Sequence, residues 1–255
     1  DTNLQLQSGS IGYIQKKEKL WNYMFQGVRD RSLHLPWWIN NADVNTIEFI
    51  HKHKRTTNAQ TILKSSGSGA EHLWDLRLVP STDGLSGSFE FRLNNSNTGS
   101  SDIASNGISM SLDYSLMVDG QLWNVMLQRM TGSISGSGTN EYRLHAATQG
   151  KNPSEIKTYN YVTMSISGGL TNTYVTGGAD SNYYANQNWQ SSGSRNYLDT
   201  GSLLVGGDTF SGSLSQIKGW TTPLSMSKFR KHVLNKFSTI GNSIISDCKE
   251  LVYHF

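Results

Sequence analysis

The stretch from Gly168 to Leu203 holds the residues whose types could meet a ligand. Tyr183, Tyr184, Asn186, Asn188 and Trp189 lie there among serines and glycines. Flat aromatic faces can cover the apolar face of a pyranose, while amides and hydroxyls satisfy sugar hydroxyls. The same mixture serves protein-binding loops. Three readings therefore stand together for this stretch: a small glycan site, a glycine-rich cover over one sheet, and a contact with a neighbouring subunit. A second aromatic pair, Trp37-Trp38 after Pro36, reads either as packing for an N-terminal strand or as an exposed stacking platform.

Catalytic and metal-binding chemistry is poorly provided for. Cleavage of a glycosidic bond needs two carboxyl groups flanking the scissile bond. Glu48, Glu71, Asp75, Glu90 and Glu141 sit singly on separate expected strands, so no enzyme is expected. His51 and His53 share a strand face in the run HKHKR, but nothing beside them in sequence completes a zinc set. That run is also the one basic cluster. With a net charge of +3 and 16% charged residues, the chain lacks the basic stripe of a nucleic-acid binder, and HKHKR reads as a solvated strand end.

The elements that must position these residues are strands. TIEFIHKHKR alternates with Ile47, Phe49 and His51 on one face; HLWDLRLVP, SGSFEFRLN, GISMSLDYS, LWNVMLQRM, EYRLHAATQ and YVTMSISG follow at short intervals, separated by Gly, Ser and Asn turns. Such spacing without long helices predicts an all-β sandwich. Asp119-Gly120 between two alternating runs predicts a hairpin, because the turn needs positive φ. Gly206-Gly207-Asp208 is a second turn signal. After Pro223, Ser225 can cap a helix whose Met226, Phe229, Val233 and Phe237 recur at three- and four-residue steps, and that face is expected against a sheet.

The C-terminal run then becomes specific. Phe210, Gly212, Leu214, Ile217 and Trp220, followed by Leu224-Ser225, resemble the closing strand of laminin-G-like and concanavalin-A-like domains. Asp119 to Arg129, DGQLWNVMLQR, is similar to an upstream strand of the same family, with Asn124 where a His is usual. The resemblance covers roughly residues 40 to 237 and implies a two-sheet antiparallel jelly-roll sandwich with one short C-terminal helix. It also raises calcium, which such domains often hold at the sandwich rim through an Asp and backbone carbonyls. Asp102, Asp113, Asp180 and Asp199 lie in or near loops, yet none falls in a ligand pattern, so neither calcium nor any other cofactor is expected.

The expected organisation is an N-terminal packing segment over residues 1–40, a sandwich over 41–237 carrying the long loop 168–203, and a linker with a strand, 238–255, leading toward a following region. Cys248 is the single cysteine, so no intrachain disulfide forms, and no run of 18 apolar residues exists to insert in a membrane. The abrupt start at DTNLQLQSGS and the strand-like end LVYHF suggest a piece of a longer polypeptide. The expectation for function is a non-catalytic sandwich module of a larger assembly. A virion or phage surface, fibre or tail protein is the setting, with other subunits or regions of the same chain, and surface glycans, as partners. The alternative is an extracellular carbohydrate-binding lectin domain.

Overall fold

The computed structural model describes residues 23–26, 33–36, 38–39, 42–66, 72–95, 103–114, 120–130, 139–167, 185, 188–189, 202–206, 209–243 and 249–255. In chain order the strands are β1 (Tyr23–Gln26), β2 (Leu33–Pro36), β3 (Trp38–Ile39), β4 (Ala42–Asp43), β5 (Thr46–His53), β6 (Gln60–Ser66), β7 (His72–Pro80) and β8 (Gly87–Asn94). A one-turn helix α1 (Ile103–Asn106) precedes β9 (Gly107–Tyr114), β10 (Trp123–Met130), β11 (Thr139–Gln149), β12 (Ile156–Ser167), β13 (Ser202–Val205) and β14 (Ser211–Trp220). Helix α2 (Met226–Leu234) and β15 (Leu251–His254) complete the described elements.

The strands form two antiparallel sheets. Sheet 1 has seven strands in the order β1-β14-β5-β10-β11-β12, with β15 also on β14; sheet 2 has six in the order β2-β13-β6-β7-β8-β9. The chain runs β5 in sheet 1, β6 to β9 in sheet 2, β10 to β12 back in sheet 1, then β13 and β14 one in each. This is the expected all-β jelly-roll sandwich. The interior follows the pleat: Trp74, Leu76 and Leu78 of β7, Phe89, Phe91 and Leu93 of β8, and Tyr142, Leu144 and Ala146 of β11 meet between the sheets, since alternate side chains point to one face. Ile47, Phe49 and His51 of β5 face inward together, and His51 lies between the rings of Phe89 and Phe210. The basic run is thus a solvated strand end only beyond this histidine.

One expectation changes. Asp119-Gly120 does not close a hairpin: β9 pairs with β8 in sheet 2, whereas β10 pairs with β5 and β11 in sheet 1. Gly120 keeps its positive φ of 76°, but the turn carries the chain between sheets, and periodicity cannot say which sheet a run joins. The described parts of the terminal segments pair into the sandwich, with β1 on β14, β2 on β13 and β15 on β14. Helix α2 is the expected C-terminal helix, and α1 and helical backbone at Ala185, Asn188 and Trp189 add short turns elsewhere.

Strand β14 shows how the family-like run works. Phe210, Gly212 and Leu214 share a parity, yet Ile217, three residues on, is also buried in the interior. Gln216 sits at φ 51° within a register shift between Ser215 and Lys218, and this bulge reverses the parity. Lys218 and Trp220 are thereby turned to the outer side of sheet 1, where Trp220, Met126, Ala147, Leu224, Phe229 and Val233 form a second apolar cluster under α2. Burying Phe229 and Val233 stabilises the docked helix by about 1.5–3 kcal/mol each. The cap is the expected one, with Ser225 Oγ accepting from Lys228 N–H at 3.3 Å. Phe237 falls beyond Leu234 and is 37% exposed, because Asn235 leaves helical backbone at φ −122°, ψ 89°.

A polar knot fastens this helix. Glu48 on β5 lies 2.9 and 3.0 Å from His232 Nδ1 and accepts from Trp220 Nε1–H at 3.1 Å. His232 Nε2 is 3.0 Å from the Ile240 carbonyl, so both ring nitrogens are held in place. Lys218 donates to the carbonyls of Lys236 and Ser238 at 3.0 and 2.8 Å. Burial raises the Glu48 carboxyl, but His232, Lys218 and Trp220 together hold it below the usual carboxylate range.

Candidate recognition site

The loop singled out in the sequence is anchored at one end of sheet 2. Trp189 is fully buried: its ring stacks on Trp74 at 5.2 Å and 15°, meets Phe91 and Tyr142, and its Nε1–H donates to the Val44 carbonyl at 3.0 Å. Arg129 lies over the same ring at 6.0 Å. This corrects the expectation for Trp189, whose indole is an anchor with its faces taken by protein and so cannot stack on a sugar. Asn188 is likewise 4% exposed and donates to the Asn94 carbonyl. Its amide is spent on the end of β8. The Ala185 N–H donates to Asn95 Oδ1 at 3.2 Å. Tyr183, Tyr184 and Asn186 lie outside the described residues, as do Trp37 and the side chain of Trp38.

The anchor points adjoin a charged cluster that the sequence did not single out. On the outer face of sheet 2, Asp75 of β7 stands opposite Arg92 of β8, and Arg77 opposite Glu90. Arg92 Nε and Nη2 donate to the two oxygens of Asp75 at 2.9 and 2.5 Å, a bidentate fork; His72 Nε2 lies 3.0 Å from Asp75 Oδ2. Arg77 donates to Glu90 at 2.5 Å. Asn94 Nδ2 donates to the His72 carbonyl at 2.9 Å, which ties the cluster to the residues gripping the loop. Cross-strand pairing makes the arrangement rigid, since opposite residues on one face have Cβ atoms only about 5 Å apart. The signal was present in HLWDLRLVP and FEFRLN as alternate charged positions, but a single sequence does not say which positions face one another.

The chemistry of this face is that of fixed donors and acceptors. Burial raises the Asp75 carboxyl, yet His72 and Arg92 together bring it below the usual range. A general acid needs the opposite shift. Asp75 and Glu90 share a face on adjacent strands, each locked to the arginine opposite it. Among the described residues no three His, Cys, Asp or Glu side chains group closely enough for a metal ion. Asp113 is exposed on β9; Asp102, Asp180 and Asp199 lie outside the described residues. No described helix is long and apolar enough to cross a membrane.

No protein-family model and no curated protein matches the sequence. Solved structures of similar fold include a native heptameric SAP-like pentraxin from Limulus polyphemus, at 14% identity and TM-score 0.40, over 91% of this chain and 90% of that one. They also include the LG1–3 region of the laminin α2 chain, at 11% identity and TM-score 0.43 over 84% of this chain and 33% of that one. The alginate lyase from Klebsiella pneumoniae matches at 10% identity and TM-score 0.36 over 70% and 60%. None of these three is a phage or virus protein, and at such identities and scores none decides a function. The chain is a two-sheet antiparallel jelly-roll sandwich on the strength of its own sheets.

Proposed function

We propose that this chain is a non-catalytic recognition module that takes a carbohydrate at the His72–Asp75–Arg92 end of sheet 2, with Tyr183, Tyr184 and Asn186 of the anchored loop completing the site. The observation that carries the reading is the bidentate Asp75–Arg92 pair beside the loop's grip on Asn94 and Asn95. The Asp75–Arg92 fork is held across adjacent strands, and polar groups fixed beforehand meet a ligand without an ordering cost at binding. Both carboxylates being locked to arginines supports the non-catalytic reading. An extracellular setting belongs to this proposal. The virion or phage setting has no observation behind it.

A glycan array with the chain, followed by calorimetry, tests it. Saturable binding is expected, weakened at least about tenfold by Arg92→Lys, which removes the planar fork, and by the pair Tyr183→Ala and Tyr184→Ala, with the thermal midpoint tracked for each. Absence of binding to every sugar, or binding indifferent to these variants, ends the reading. A subunit-contact role is the second reading, favoured by the half-exposed ring of Tyr161 on the outer face of sheet 1.

A further inference from the structure

Helix α2 buries Phe229, His232 and Val233, and the rest of its surface is cationic: Lys228, Arg230 and Lys231 stand there, and the helix holds no acidic residue. Arg230 lies over the Tyr159 ring at 5.7 Å. Among the described residues neither Lys228 nor Lys231 has a partner for its ammonium. Lys228, Lys231 and Asn235 recur at three- and four-residue steps, so they share one flank of the helix.

After Asn235 the chain doubles back along that flank as a strap, and the strap is fastened along its length. Lys218 donates to the carbonyls of Lys236 and Ser238, and His232 Nε2 lies 3.0 Å from that of Ile240. Asn242 closes the return: its Oδ1 accepts from Ser225 N–H at 3.0 Å, and its Nδ2 donates to the Pro223 carbonyl at 2.9 Å. The buried polar groups thus grip the backbone of the strap, and Ile240 keeps 45% of its surface exposed. Between helix and strap runs a groove of about 400 Å³, with Lys228, Lys231, Leu234, Asn235 and Ile240 among its walls and no acidic residue. Sites for small organic ligands span about 300–1,000 Å³.

We propose that this groove binds a small amphipathic carboxylate, a fatty-acid-like ligand whose head meets Lys228 and Lys231 and whose tail lies on Leu234 and Ile240. Charge complementarity selects the head: two cations without counter-charges line one flank, and nothing in the walls would hold a cation. The orientation follows from the helix. Its side chains lean toward its N-terminus, which carries the two ammonium groups away from the C-terminal carbonyls, where a carboxylate is repelled. The apolar tail belongs at that C-terminal end, beside Leu234 and Ile240. Because the strap is fastened beforehand, binding does not have to order it. The groove lies on the outer side of sheet 1, while the carbohydrate site is on the outer face of sheet 2, so neither proposal rests on the other.

An NMR titration of the whole isotope-labelled chain with sodium octanoate, without any sugar, tests the groove. Saturable shifts are expected at about millimolar octanoate, as the size of the ligand allows, and at the amides around Lys231 and Ile240. Octan-1-ol, which lacks the charge, and octylammonium, which inverts it, should each bind at least about tenfold more weakly. Lys228→Gln together with Lys231→Gln should weaken octanoate binding by about tenfold, and Ile240→Asn by about fivefold. Lys54→Gln, which removes an exposed lysine elsewhere, should leave it unchanged. The thermal midpoint verifies that each variant folds. Shifts that never saturate, octylammonium binding as tightly as octanoate, an equal loss from Lys54→Gln, or indifference to the lysine pair and to Ile240→Asn overturns the proposal.

Discussion

At the scale of single residues, the polar groups of this sandwich are fasteners. Trp189 is the clearest: Trp189→Ala should cost about 3–5 kcal/mol in urea unfolding, as for other large buried aromatics. A merely surface-stacking tryptophan would cost less than about 0.5 kcal/mol. Two titrations have separate windows. Burial, with some help from Arg143, brings the His145 imidazole from 6.5 down to about 4, so between those values the unfolded chain binds the extra proton. Its stabilising contribution is complete above pH 6.5 and is lost as pH falls toward 4. His145→Phe should flatten that limb by at most about 3 kcal/mol. Glu48 acts lower: its carboxyl is held below 4.5 when folded, so what it contributes is present above that value and is lost on further acidification. Glu48→Ala leaves Lys218 without its counter-charge and Trp220 Nε1–H without its acceptor, and should cost about 3–5 kcal/mol at pH 7 by denaturant titration.

At the scale of elements, two conformations were legible and one was not. Ser225 announces its cap, and Ser225→Ala should lower stability by about 1 kcal/mol. Gly206 turns the chain out of β13 at φ 72°, with a would-be Cβ 2.1 Å from the Phe25 ring. Gly206→Ala should cost more than the usual 1–2 kcal/mol of left-handed strain, because the ring of β1 must also move; the shift in denaturation midpoint measures it. The bulge at Gln216 was illegible. Leu214 and Ile217 are spaced as on a helix, and only pairing with β5 and β15 on either side of the bulge keeps both in the core.

For the whole molecule, the sheet interior could be read almost residue by residue. Phe89, Phe91, Leu93, Tyr142, Leu144 and Ala146 lie where alternation puts them. Alternation failed for β10, in which Trp123 through Arg129 are all buried, since Met126 on the outer side of sheet 1 is covered by Leu224 and by Phe229 and Val233 of α2. A strand buried on both faces has no polar phase to read. The candidate site was half legible: the loop composition drew attention to the end of the molecule where the site is now proposed, and to a tryptophan that is buried. The Asp75–Arg92–His72 group went unseen because its members are brought together by strand pairing.

What the sequence by itself determined was local: which runs are strands, where the helix begins, and which side chains of each strand share a face. These follow from steric preferences and from the burial of apolar groups, which act over a few residues and are written in the spacing. Only the tertiary structure decided which sheet each strand joins, that β9 and β10 part company, that Trp189 anchors a loop instead of presenting it, and that solitary charges become pairs. Those outcomes depend on contacts between residues distant along the chain, such as the 145 positions between Val44 and Trp189. No periodicity records which distant strand will lie alongside, because pairing is chosen by the packing energy of the whole sandwich.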